Sequence, residues 1–248
     1  MRILLALLIG LSVCTIQAQD WAKARLEKSP RHHERVAIRH EGREIATFIV
    51  YPEAKDKKPV VLLIHDGAGL TDWFQSFADQ VAAMGYVALA PDLLSGTALP
   101  ADVQVTGILN AVADYGVKLP AFNGTLFVAG IGWGGTQSFR FAADRAGVAA
   151  ALVFSGSAPD KNSIARIQGS IFGFYAGNDP AANATLSSAQ AAAKAANVVF
   201  EAVTYDGVSP GFIQSGDAPD AKPADKLARG YALERMKSVL DMVSLRGY

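Results

Sequence analysis

Residues 124–135 read GTLFVAGIGWGG. An apolar strand runs into a glycine-rich turn, and a helix-like stretch follows. Two protein machines begin this way. In a dinucleotide-binding domain, G-x-G-x-x-G cradles a pyrophosphate at a helix N-terminus. In a nucleophile elbow, G-x-Nu-x-G lifts a reactive side chain out of a strained strand-to-helix turn. Gly130, Gly132 and Gly135 satisfy the first pattern literally. Gly130-Ile131-Gly132-Trp133-Gly134 matches the frame of the second, with a bare glycine at its centre.

The surroundings weigh against the phosphate reading. That motif calls for an acid at the end of the next strand to hold a ribose. The next strand ends FSGS at 154–157, and its nearest acid, Asp160, lies beyond the turn. Trp133 would crowd a pyrophosphate, and at least two strand–helix units precede the motif rather than follow it.

Outward from the turn, the chain alternates. VAIRH and REIATFIVY, separated by Glu41-Gly42, read as a hairpin over 36–51, with Gly42 supplying a positive φ. PVVLLIH (59–65) is a continuous apolar run, as expected of a central strand covered on both faces. TDWFQSFADQVAAMG (71–85) carries apolar residues at 73, 74, 77, 81 and 84, the spacing of a helix, with Gly85 at its stop. The pattern continues with strands at 86–90, 125–130, 149–155, 170–176 and 198–205. Helices are expected at 102–117, 134–144, 182–196 and 224–243. Strands alternating with helices make an α/β fold with a mostly parallel sheet, whose ligand sites lie at the carboxyl ends of the strands.

The 248 residues suffice for one large domain. Lys+Arg and Asp+Glu balance at 23 each, so the basic stripe expected of a nucleic-acid binder is missing. The opening MRILLALLIGLSVCTIQAQD has a positive start, an apolar stretch too short to span a bilayer, and Ala18 before an expected cut. Residues 1–18 are therefore read as a signal peptide, 19–34 as an N-terminal extension and 35–248 as the domain, exported to a periplasm or the medium. Cys14 is the single cysteine. A membrane anchor would require its lipidation, and bulky Val13 does not favour that; cleavage at Ala18 would leave no thiol at all.

VVLLIHDGAGL (60–70), GYVALAPDLLSG (85–96), GIGWGGTQSFRFA (130–142), FYAGNDP (174–180) and YDGVSPGF (205–212) together resemble successive landmarks of the dienelactone hydrolases. The resemblance covers about residues 35–243. It implies an α/β-hydrolase fold: a three-layer αβα sandwich with a mostly parallel central sheet and an N-terminal antiparallel hairpin. It also implies a nucleophilic Cys or Ser at the elbow, an Asp after a later strand, a His after the last strand, and an acid in the third-strand loop. Position by position, the nucleophile site is Gly132, the triad acid is Asp179, the His site is Pro210, and the loop acid is Asp66. Backbone N–H groups of Gly67 and Trp133 would form the oxyanion hole.

Two triad members are thus replaced. The four histidines are His32, His33, His40 and His65, so none comes from the last-strand loop. His65, ending a central strand, reads first as a structural residue bonded to loop backbone. Ser138, Ser155, Ser157 and Ser209 are the hydroxyls near the landmarks, and none sits in an elbow. Asn178-Asp179-Pro180 also reads as an ordinary turn. Asp66, Asp179 and His65 lack the ligand spacing of a first-row metal site, so neither metal nor cofactor is assigned. The expectation is an exported, catalytically impaired relative that keeps a pocket for a small acyl, lactone or carboxylate ligand. The alternative is an ester or lactone hydrolase with relocated residues, and a nucleotide-binding domain stands third. Oligomeric state is not encoded in any of these motifs.

Overall fold

A computed structural model describes residues 19–94 and 100–246. The expected signal peptide, and Ser95-Gly96 of the 85–96 landmark, lie outside the described residues.

Strands β1 (His32–His40), β2 (Arg43–Tyr51), β3 (Lys58–Ile64), β4 (Val87–Pro91), β5 (Phe122–Ile131), β6 (Val148–Phe154), β7 (Ser170–Ala176) and β8 (Phe200–Tyr205) form one sheet. Its order is β1-β2-β4-β3-β5-β6-β7-β8. β1 pairs antiparallel with β2, and β2 with β4; every other neighbouring pair is parallel. The hairpin turn places both Glu41 and Gly42 at positive φ.

The helices are α1 (Asp20–Glu27), α2 (Asp72–Ala83), α3 (Asp102–Gly116), α4 (Trp133–Asp144), α5 (Lys161–Arg166), α6 (Pro180–Ala195), α7 (Phe212–Ser215) and α8 (Pro223–Arg246). Alternate residues of each strand point to opposite faces, and the core divides accordingly. Val61 and Leu63 join Phe74, Phe77, Met236 and Leu240 on the side of α2 and α8. Val60, Leu62 and Ile64 join Leu109, Phe139 and Ala189 on the side of α3, α4 and α6. This is the three-layer α/β-hydrolase architecture.

From β3 the chain crosses to β4 on one side; from β5 it crosses to β6 on the other. The two connections diverge through α2 and α4, which lie on opposite faces. That divergence leaves a crevice at the carboxyl ends of β3 and β5, the usual ligand position in such sheets. It is bordered by residues 65–67 and 132–133.

Local sequence and structure differ mainly at short elements. Helices α1, α5 and α7 stand where no periodic segment is visible, and β1 begins at His32 rather than 36.

A candidate active-site elbow built on glycine

The turn between β5 and α4 is a steric mould. The β5–β6 ladder extends one bond past the strand, with the Gly132 N–H donating to Phe154 O at 2.8 Å. The chain then reverses at Gly132, with φ 56° and ψ −117°, and Thr136 N–H donates to Gly132 O to open α4. This backbone region is strained for any residue with a side chain and is characteristic of functional turns.

The flanking glycines have a different cause. A Cβ on Gly130 would lie 2.1 Å from Gly134 O, and one on Gly134 would lie 2.2 Å from Ile64 O. A Cβ on Gly135 would lie 2.9 Å from Phe154 O, and one on Gly156 would lie 2.4 Å from the Gly135 carbonyl carbon. Three strand ends and a helix start approach so closely that only hydrogen fits. At Gly132 a Cβ would meet only Asp66 Cβ, at 3.7 Å, an ordinary contact. The elbow therefore has room for a side chain at its tip, beside the third-strand loop, and carries none.

The other site residues are held by local bonds. His65 is fully buried. Its Nε2 lies 3.0 Å from the Leu93 N–H, which can only donate, and its Nδ1 lies 2.6 Å from Asp66 O. Nε2 must therefore accept, and the single proton sits on Nδ1. Burial holds the imidazole below its usual pKa, opposed by its bond to the Asp66 backbone. His65 braces the β3 and β4 loops, with its Nε2 lone pair taken by the Leu93 N–H. The Trp133 ring packs 6.1 Å from it.

Asp66 accepts from the Ala68 N–H at 2.9 Å, closing a tight loop turn. Gly67 beside it is exposed. Asp179 is buried and accepts from the Ala182 N–H at 3.1 Å, which makes it the N-cap of α6, with Pro180 at the first helical position. The acid loop is tied to the last-strand loop by Asn178 N–H to Val208 O at 3.0 Å. Pro210 itself is exposed. It lines a cavity of about 620 Å³ together with Trp21 and Gln214, away from the elbow residues.

Thus Gly132, Asp66, Trp133 and His65 gather around the β3–β5 crevice, while Asp179 and Pro210 border the neighbouring loops. Ser138 is fully buried and donates to Gly134 O, a bond within its own helix. Ser209 is exposed beside Pro210. Ser157 offers its N–H to Thr136 Oγ1. Ser155 is the unexpected one. It directly follows β6 at φ 50°, a conformation that few residues other than glycine adopt. Its Oγ lies 3.4 Å from the Ala176 N–H, at the edge of hydrogen-bond range. No local sequence signal marks that strain.

A second acidic centre lies under α1. Asp79 Oδ1 accepts from Ser29 Oγ at 2.6 Å and faces His33 Nε2 at 2.9 Å, and Arg31 pairs with both oxygens. Ser, His and Asp are all present, but hydroxyl and imidazole both engage the carboxylate, so no base faces the hydroxyl as a triad demands. Nearby, Asp217 receives Arg25 on both oxygens, Trp73 Nε1 at 3.0 Å, and Arg229 at 2.9 Å. Burial pushes both carboxyls up. Arg31, Ser29 and His33 outweigh it at Asp79, and Arg25, Arg229 and Trp73 at Asp217, leaving both below the ordinary carboxylate range. These acids pin α1 and residues 28–33 to α2 and to the loop before α8.

The elbow geometry, the crevice and the order of landmarks converge with comparison to known proteins. The sequence profile of the dienelactone hydrolase family matches residues 45–110 and 100–244. The chain belongs to the dienelactone hydrolase family. A Salmonella typhi protein provisionally named carboxymethylenebutenolidase is 24% identical over 198 residues, covering 68% of this chain and 73% of that protein. The crystal structure of a provisionally named dienelactone hydrolase from Klebsiella pneumoniae superposes with a TM-score of 0.76 at 20% identity, covering 85% and 98% of the two chains. A dienelactone hydrolase-like promiscuous phosphotriesterase from metagenomic libraries superposes at 0.72 with 16% identity, over 86% and 98%. At such identities these structures establish the fold.

Proposed function

We propose that this chain is a member of its family that has lost ester hydrolysis and retains a site for a small acyl, lactone or carboxylate group. The observation that carries the reading is Gly132: the elbow keeps φ 56° and ψ −117°, and its tip holds only hydrogen. The base is missing independently. His65 is buried with both nitrogens engaged, and His32, His33 and His40 all lie on β1, at the far edge of the sheet from β5.

What survives favours binding. The Trp133 N–H opens a twelve-residue helix and so has no acceptor four residues back. With the Gly67 N–H it would donate to a ligand oxygen in the crevice, and the helix dipole adds attraction for an anion. Removing catalytic side chains leaves such backbone donors unaltered. The export-signal pattern of residues 1–18 supports a role outside the cytoplasm.

Ser155 sustains one competing reading, a hydrolase with a relocated nucleophile, because it is strained and adjoins the crevice strands. An activated ester separates the two. The natural chain should show no turnover above background, and none should be lost on Ser155→Ala or Ser157→Ala. Turnover that disappears in either variant would establish the relocated enzyme. In Gly132→Cys, alkylation of the introduced thiol should be slowed by small carboxylates or lactones that occupy the crevice. Alkylation unaffected by any of them would remove the binding claim.

A further inference from the structure

Helix α8 seats Ala228, Ala232, Met236, Leu240 and Val243 against the core. Its opposite face is unusual for a surface helix. Pro223, Lys226, Leu227, Gly230, Tyr231 and Glu234 bound a shallow groove of about 400 Å³. Leu227 and Tyr231 are 58% and 56% exposed. Gly230 sits mid-helix, where glycine is less favourable than alanine. A Cβ there would meet nothing within 4 Å, so packing inside the protomer does not require it. Glycine on such a face has a use when a second backbone must come close.

The charges say what that second backbone is. Lys226 and Glu234 stand four residues before and after Gly230, about 6 Å along the axis in each direction. Among the described residues, α8 makes the ion pairs Arg229–Asp217 and Lys237–Asp241. Among the described residues, neither Lys226 nor Glu234 takes part in one. A contact between identical chains must be self-complementary. An antiparallel crossing of two α8 helices, with its two-fold axis over Gly230, sets each Lys226 opposite the other chain's Glu234. Leu227 and Tyr231 then lie along the partner's groove.

We propose that α8 is the interface of a homodimer, with Gly230 at the crossing point and two reciprocal Lys226–Glu234 pairs flanking it. A single helix crossing buries little area, so the dimer is a weak one.

Sedimentation equilibrium on the purified chain tests this. The expected result is a concentration-dependent monomer–dimer equilibrium. Lys226→Glu or Glu234→Lys alone should weaken it at least about tenfold through like-charge contact, and Lys226→Glu with Glu234→Lys in one chain should restore it. Gly230→Leu, for which the monomer has space, should abolish the dimer without lowering the melting temperature. A chain that stays monomeric at every concentration would overturn the proposal. So would a dimer indifferent to the single reversals, or one that the double reversal fails to restore.

Discussion

The crevice between β3 and β5 and the seam beneath α1 are built by opposite means. The seam has the chemical composition of an active site, with buried carboxylates, a histidine, a serine and arginines within hydrogen-bond distance of one another. Most of those bonds go to a carboxylate oxygen of Asp79 or Asp217, so the acids are used in fastening elements together. The crevice is nearly bare of reactive side chains, and its backbone is held as a working elbow would be. Geometry and side-chain chemistry are separate here: close glycine contacts hold the elbow's shape, while its tip is a glycine.

Substitutions at the two places should differ in kind. In the crevice the largest effect should come from volume alone. Gly134→Ala drives a methyl into the Ile64 carbonyl at 2.2 Å, and should cost about 4 kcal/mol or more, enough to impair folding. Denaturant unfolding, or loss of soluble protein, would register it; near-native stability would show that the elbow is not sterically locked.

In the seam the effect should come from charge. Asp217→Ala strands Arg25 and Arg229, and should cost on the order of 3 kcal/mol. Acid should act on the same groups. Asp79 and Asp217 have folded-state pKa values below their unfolded ones. Their stabilisation is therefore present above about pH 4 and lost as pH falls through the folded values. His65, also depressed, starts the decline earlier. Below about pH 6.5 the unfolded chain takes up a proton that the buried imidazole refuses, so unfolding is favoured. Melting temperatures from pH 8 to pH 3 should fall in those two stages, and a single stage near pH 4 would remove His65 from the account.

Smaller effects sharpen the contrast further. Gly132→Ala adds a methyl that fits but imposes positive φ on a non-glycine residue, at about 1–2 kcal/mol. Asp179→Ala removes a helix cap worth about 1 kcal/mol, and Asp179→Asn should be close to neutral because Asn caps equally well. A large loss in the Asn variant would mean that the negative charge itself still has a role.

The sheet was legible because its strands announce themselves locally. PVVLLI has the length and unbroken apolar content of a strand covered on both faces, and the glycines of 130–135 mark a turn of unusual closeness. Gly132 and Asp66 were set by the family resemblance, and the structure brings the two close together. What stayed hidden depends on distant partners. Helix α1 has eight residues and little periodicity, and it is held by Arg25 reaching Asp217, 192 positions away. The brace on His65 comes from Leu93, 28 residues on. The positive φ at Ser155 has no turn motif in FSGS to announce it. Local patterns show where the chain runs straight and where it turns; they do not show which charge meets which across the fold.

The central claim is that no nucleophile remains in the crevice. Its most direct test is the intact mass of the natural chain from residue 19 onward, which contains no cysteine, after prolonged exposure to a serine- and cysteine-directed covalent hydrolase inhibitor. The account predicts an unchanged mass, while Gly132→Cys treated in parallel gains one adduct at the introduced thiol. A single adduct on the natural chain, mapped to Ser155 or to any other residue lining the β3–β5 crevice, would contradict it.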